Sequence, residues 1–253
     1  MKEPISVIII TQNEEQNIHD CLASVRWCEE IILVDAFSSD QTVAISKQFT
    51  DRIFQQEWQG FAEQKSFALA QAHQQWVLSL DADERVTPEL QSEICSRLHQ
   101  PDLPDGFHIP RKSYFLGKWI KHSGWYPGYQ LRLFYRAKTR VSQKRVHEGF
   151  IVDGRVEYLQ NPILHFTHPT IADSLQKMDR YSSLEAEDRA GSRKVRWYDL
   201  VFHPVAAFLR KYFVQKGFLD GMHGFVLALI TAQLKMALYM KMWEQQQPKE
   251  KAR

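Results

Sequence analysis

Four short apolar runs separated by helix-like segments occupy the first 81 residues and leave little freedom in the fold. Residues 5–10 read Ile-Ser-Val-Ile-Ile-Ile, residues 31–34 Ile-Ile-Leu-Val, residues 52–54 Arg-Ile-Phe and residues 76–80 Trp-Val-Leu-Ser-Leu. Runs of this length, rich in β-branched residues, predict buried strands. Between them, Ile18, Cys21, Leu22 and Val25 share one helical face, with Asn13 as candidate N-cap and Glu14 and Glu15 in the first turn. Residues 42–49 and the Ala-rich residues 61–73 predict two further helices. After the fourth run, Thr87 as N-cap, Pro88 at the first helical position and Glu89 in the first turn open another. The order β-α-β-α-β-α-β predicts an α/β protein with a mostly parallel sheet flanked by helices.

The strand ends carry the chemistry. The first run is followed by Thr11-Gln12-Asn13-Glu14, the second by Asp35 with Ser38-Ser39-Asp40, and the fourth by Asp81-Ala82-Asp83-Glu84. In a parallel sheet such ends lie on one edge, where open α/β sheets bind ligands. Two carboxylates two residues apart suit a hard divalent cation held against a diphosphate, with waters and phosphate oxygens completing its shell. The plainer alternative makes these residues polar turns and caps for the helices that follow. Some nucleotide folds are excluded by what is missing. No Gly-x-Gly-x-x-Gly follows the first run and no Gly-x-x-x-x-Gly-Lys-Ser/Thr occurs, so neither a dinucleotide fold nor a P-loop is expected.

Past residue 101 the pattern changes. Short strand-like pieces at 106–110, 130–135 and 156–159 alternate with aromatic and basic residues, and from about residue 171 the chain reads as helical. Charge follows the same partition. Residues 1–105 hold 7 Lys/Arg against 18 Asp/Glu, residues 106–147 hold 10 and no acid, and residues 193–253 hold 11 against 4. Such blocks suit separate surfaces for separate partners. Three cysteines, an odd number with no Cys-x-x-Cys, suggest neither a disulfide framework nor a zinc site. A strand-like run follows Met1 almost directly, with no apolar leader, which leads us to expect a cytoplasmic protein.

The motifs together resemble a known family. Residues 6–15 (Ser-Val-Ile-Ile-Ile-Thr-Gln-Asn-Glu-Glu), Val34-Asp35 with Ser-Ser-Asp, and Leu80-Asp-Ala-Asp-Glu84 are similar to family 2 glycosyltransferases of the GT-A (Rossmann-like) fold. Gly124-Trp-Tyr-Pro127, Leu131-Arg-Leu-Phe134, Val146-His-Glu148 and Arg210-Lys-Tyr-Phe213 with Gly217-Phe-Leu-Asp-Gly221 extend the likeness to about residue 244. They resemble the subgroup that includes lipopolysaccharide core β-glucosyltransferases. The resemblance implies a metal-dependent, inverting hexosyltransferase. Its donor would be a nucleotide-diphosphate sugar, with UDP-glucose the family-weighted choice, and its acceptor a lipid-linked saccharide. The cation would be Mg or Mn. It divides the chain into a nucleotide-sugar half at 1–105, an acceptor half at 106–170 and an amphipathic helical region at 171–253.

Residue by residue, the resemblance implies that Thr11, Asn13 and Glu14 line the nucleotide end of the pocket and that Asp35 meets the base or ribose. Lys65 approaches the diphosphate, or is simply a solvated lysine. Asp81 and Asp83 bracket ribose and metal, with Asp83 the direct ligand. Glu148 matches the acceptor-side carboxylate and is the expected general base; the alternative is a rim ion pair with Lys144 or Arg145. His147 either orients Glu148 or acts as base itself. His165 and His168 are conceivable late metal ligands. Arg132 stabilises the leaving diphosphate or binds phosphates on an acceptor. Trp125 and Tyr126 suit either a sugar-stacking platform or a core.

Residues 196–244 mix aromatics with cations, and their longest uncharged, mainly apolar stretch, 225–232, is too short for a span of about 20 residues. A peripheral helix on an anionic membrane surface, at the inner face of the cytoplasmic membrane, is therefore expected. No nucleic-acid partner is expected. Two other function classes stay open: a nucleotidyltransferase, although the loop after the first strand lacks the usual glycines, and a non-catalytic saccharide-binding scaffold at the membrane.

Overall fold

A computed structural model describes residues 3–142, 149–167, 170–189, 191 and 193–247. The chain divides into two compact units, Met1–Ser113 with Pro127–Phe166 and Tyr114–Tyr126 with Thr167–Arg253. Residues 106–170 thus contribute to both.

In the first unit the expected alternation forms as β1 (Ile5–Thr11), α1 (Ile18–Ser24), β2 (Glu30–Asp35), α2 (Thr42–Ser46), β3 (Ile53–Gln55), α3 (Phe61–Gln71) and β4 (Trp76–Asp81). β1 lies between β4 and β2, parallel to both, and β3 runs parallel to β2. There follow β5 (Glu84–Val86), α4 (Pro88–Leu98), β6 (Gly106–Ile109), β7 (Arg111–Phe115), β8 (Lys118–Trp119), β9 (Gln130–Tyr135), β10 (Thr139–Val141), β11 (Phe150–Val152), β12 (Val156–Tyr158) and β13 (Ile163–Thr167), of which β8 and the last residues of β7 and β13 belong to the second unit. β9 inserts between β4 and β6, antiparallel to each, so the sheet of order β12-β6-β9-β4-β1-β2-β3 is mixed, parallel across β4-β1-β2-β3 and again between β12 and β6.

Period-two alternation sends neighbouring side chains to opposite faces. Val7, Ile9, Leu33, Leu78 and Leu80 pack with Ile18 and Leu22 of α1 and Leu90, Ile94 and Leu98 of α4. Ile8, Ile32, Val34 and Val77 pack on the other side with Ala68 and Ala72. Each fully buried Ile, Leu or Phe contributes about 1.5–3 kcal/mol of transfer free energy. The Thr87 cap forms as the sequence predicts, its Oγ1 accepting the Leu90 N–H at 3.1 Å. Asn13 caps nothing. α1 begins at Ile18 without a side-chain cap, and Asn13 instead holds a left-handed φ of 56°. The sequence reading missed β5, β7, β8, β10, β11 and β13. They are short pieces without a clean alternation, and their pairing comes from distant partners, as in β13 with β5.

The second unit contains α5 (Ile171–Asp188), opened by a Thr170/Asp173 capping box, and α6 (Asp199–Leu209). A π-helical turn over Arg210–Val214 and a 3-10 turn over Gly217–Asp220 lead into α7 (Met222–Gln245). α7 buries Leu238, Tyr239 and Met242 against Ala186 and Val195. Ion pairs tie it to α5, Lys235 to Glu185 at 3.1 Å and Lys241 to Asp179 at 2.7 Å. The apolar run 225–232 is short, yet over an 18-residue window α7 has mean hydropathy 1.4 and is long enough to cross a bilayer by length and composition.

Candidate active site

The parallel register places the three polar strand ends at one level. Thr11 stands opposite Asp35, and Ile10 opposite Asp81. The loops after β1 and β2 are laced together. The Asn13 N–H donates to Ser38 Oγ at 2.8 Å, the Glu14 N–H to Thr42 Oγ1 at 2.7 Å, and Asn13 Oδ1 accepts the Ser39 N–H at 2.8 Å. Asp35 is fully buried and accepts the Ser38 N–H at 2.9 Å. Asp40, two residues before the start of α2, accepts the Thr42 N–H at 3.0 Å. Among the described residues, the buried Thr11 Oγ1 has no hydrogen-bond partner. The same loop carries Phe37, left-handed at φ 54° and more than half exposed, a backbone state unusual for an aromatic residue and one that no sequence pattern signalled.

At the end of β4, Ala82 and Asp83 form the turn into β5, and the small buried Ala82 lets the turn close against the core. The turn folds Glu84 back, so that its fully buried carboxylate accepts the Asp81 N–H at 3.0 Å. Arg132, on β9, joins both acids. It donates to Glu84 Oε1 at 2.7 Å and pairs with the Asp81 carboxylate. Arg111 stands 3.8 Å from Glu84. Burial pushes the Asp81 carboxyl up, but Arg132, and then Lys65, outweigh it and hold Asp81 well below the usual carboxylate range. Burial also pushes Glu84 up, and there it prevails over Arg132. Arg132 therefore faces the carboxylates from inside the fold, and Lys65, buried on α3, sends its charge toward Asp81.

Asp83 meets a second chain of contacts. Its Oδ2 lies 3.3 Å from His165 Nε2, and His165 Nδ1 lies 3.0 Å from Ser113 Oγ. β13 supplies this histidine by pairing with β5, His165 opposite Glu84. Trp125 packs against the Phe115, Ile120 and Leu227 cluster of the second unit, which is the core alternative, while Tyr126 remains partly exposed with its ring edge on Trp119. Glu148, His147, His168, Lys144 and Arg145 lie outside the described residues.

For a divalent cation, the described residues offer no cluster of three or more His, Cys, Asp or Glu. They offer the Asp81 and Asp83 carboxylates, with His165 beside Asp83. That sparse oxygen set fits a hard cation such as Mg²⁺, which keeps waters and binds through one or two carboxylates plus substrate phosphates. With Asp81 engaged by Arg132, Asp83 is the better placed to ligate.

Residues 6–152 match the model for glycosyl transferase family 2. The chain is 35% identical over 247 residues to the lipopolysaccharide core biosynthesis glycosyltransferase LpsC of Rhizobium meliloti, with 91% of each protein covered. It is 30% identical over 254 residues to an uncharacterized glycosyltransferase of Rickettsia typhi, covering 95% of this chain and 87% of the relative. Among solved structures, S. aureus TarS 1-349 aligns with TM-score 0.48 and 15% identity, over 98% of this chain and 93% of that one. By the family match and these near full-length relatives, the chain belongs to glycosyl transferase family 2.

Proposed function

We propose that the protein is an inverting hexosyltransferase that moves a sugar, glucose on UDP by family weight, onto a lipid-linked saccharide such as the lipopolysaccharide inner core, at the inner face of the cytoplasmic membrane. The observation that carries the reading is the register of β1, β2 and β4, which brings Thr11, Asp35 and Asp81 to one sheet edge beside Asp83. LpsC, by its name, belongs to lipopolysaccharide core biosynthesis, and this supports the acceptor class.

In this reading Asp35, with the Asn13 and Glu14 loop, receives the nucleoside, and the orphaned Thr11 hydroxyl bonds to it. Asp83, with Asp81 behind it, would hold a divalent cation, which would supply positive charge against the diphosphate. Glu148 takes the acceptor hydroxyl proton as that oxygen attacks the anomeric carbon from the face opposite the diphosphate, and the configuration inverts. His147 orients Glu148. Arg132 contributes indirectly, by fixing Asp81.

Calorimetric titration of UDP and other nucleotide diphosphates with Mn²⁺, then with EDTA, tests this. Metal-dependent binding of one diphosphate, lost in Asp83→Ala and retained in Glu148→Gln while sugar transfer disappears, is the expected result. A folded protein that binds no nucleotide diphosphate overturns the reading.

A further inference from the structure

The second unit turns an apolar stripe outward. Asp199 and Pro204 mark the buried side of α6; away from them stand Val201, Phe202, Val205 and Leu209, each about half exposed or more. The stripe continues at helical spacing through the π-helical turn as Phe213 and Val214, the latter 75% exposed. This inverts the usual amphipathic order, in which the apolar face is covered. A contiguous exposed apolar face of this kind marks a binding surface.

Charge identifies the partner. Arg193, Lys194 and Arg196 precede the stripe, and Arg210 and Lys216 flank its far end. Between residues 193 and 243 the only acids are Asp199 and Asp220. Both are buried, Asp199 paired with Arg193 and Asp220 beside His122. Trp197, 75% exposed, stands at the head of α6. An apolar stripe flanked by cations, of which Arg193 is paired with Asp199, and opened by an exposed tryptophan fits the interface of an anionic bilayer. A second copy of the chain would set like charges against each other.

The depth of binding follows from α7. It is long enough to cross. However, Lys235 and Lys241 are paired to Glu185 and Asp179 of α5, a helix that also carries Asp173, Lys177, Arg180 and Glu187. Spanning would carry those charges into hydrocarbon or break the pairs.

We propose that α6 and the turns after it lie one leaflet deep in an anionic membrane, with Trp197 and the flanking cations at headgroup level and α7 packed above them without crossing. This goes beyond the transferase reading and does not depend on it.

Flotation of the full chain with phosphatidylglycerol/phosphatidylethanolamine vesicles, and with phosphatidylcholine alone, tests the proposal. The expected result is strong flotation on the anionic vesicles, weaker in high salt and on neutral lipid. Val205→Asp/Leu209→Asp, with circular dichroism and nucleotide binding unchanged, should lose roughly tenfold in partitioning per substituted side chain. Phe213→Ser, a milder change, should lose about tenfold and serves if the double variant fails to fold. Equal flotation of folded variants and wild type overturns the proposal, as does a wild type that floats with no vesicle. A wild-type dimer that the double variant turns into a monomer, without flotation, would make the stripe a contact between copies instead. Carbonate-resistant membrane retention of the double variant would put α7 across the bilayer and overturn the one-leaflet reading.

Discussion

Glu84 accepts the main-chain N–H of Asp81 at 3.0 Å from a fully buried position, and both carboxylates converge on Arg132. The turn that presents Asp83 is thus anchored from beneath by one guanidinium shared between two acids. Arg132 holds Asp81 in its ionised form, and the same cation is the principal partner of Glu84 in the interior.

Removing that cation should cost stability. Arg132→Met leaves Glu84 buried without its principal partner and is expected to destabilise the fold by about 3–5 kcal/mol. Urea unfolding followed by circular dichroism measures it. A change under about 1 kcal/mol would show that Glu84 is not held by Arg132.

The depressed Asp81 carboxyl predicts a pH dependence of definite sign. A folded-state value below the unfolded one adds stability that is present above the unfolded value, about 3.9, and lost as pH falls through the folded one. Wild type should therefore exceed Asp81→Asn in stability at pH 7, and the gap should close on acidification below about pH 4. Glu84, raised by burial, acts with opposite sign. Its contribution is full below the ordinary glutamate range and falls as pH rises through its raised value. Denaturant midpoints of wild type, Asp81→Asn and Glu84→Gln across pH 3–8 separate the two.

His165 should act by positioning Asp83. His165→Ala is expected to weaken metal-dependent nucleotide binding by about tenfold, less than Asp83→Ala, with His165→Asn recovering part of the loss because an amide keeps a hydrogen bond. Calorimetry with Mn²⁺ decides. An affinity unchanged in His165→Ala removes the histidine from the site.

Thiol reactivity should divide two and one. Cys21 is fully buried, with Sγ 3.6 Å from the Asp81 carbonyl, and burial pushes its thiol far up, while Cys28 and Cys95 are partly exposed. Titration with an aromatic disulfide at pH 8 should therefore modify two thiols quickly in the native protein and the third only on unfolding. Three rapid modifications would contradict the packing of α1 on β4.

Gly224 is where α7 meets the turn before it, and a Cβ there would lie 1.9 Å from the Gly217 carbonyl oxygen. Gly224→Ala should cost about 1–3 kcal/mol through backbone displacement. A thermal melt of the variant, lowered by several degrees, is the expected reading.

Much of the first unit was legible because its signals are local. The β-branched runs, the period-two alternation and the Thr87-Pro88-Glu89 helix start each lie within a few residues, and together they specify β1 to β4 and α4. The family motifs ride on those same strand ends. Partnership across the chain was not legible. Nothing near Arg132 says that it faces Asp81 and Glu84 from a strand inserted antiparallel into the sheet. Nothing near His165 says that β13 brings it to Asp83. Asn13 reads as a helix cap, yet it tightens a loop, because Ser38 and Ser39 reach it across the sheet edge. In the C-terminal region the sequence determined the mixture of apolar and basic residues. Only the tertiary structure decided which way α6 faces, since α7 covers one side and the apolar stripe falls on the other. Local propensity and pattern set the elements; long-range packing and charge pairing set what each element presents.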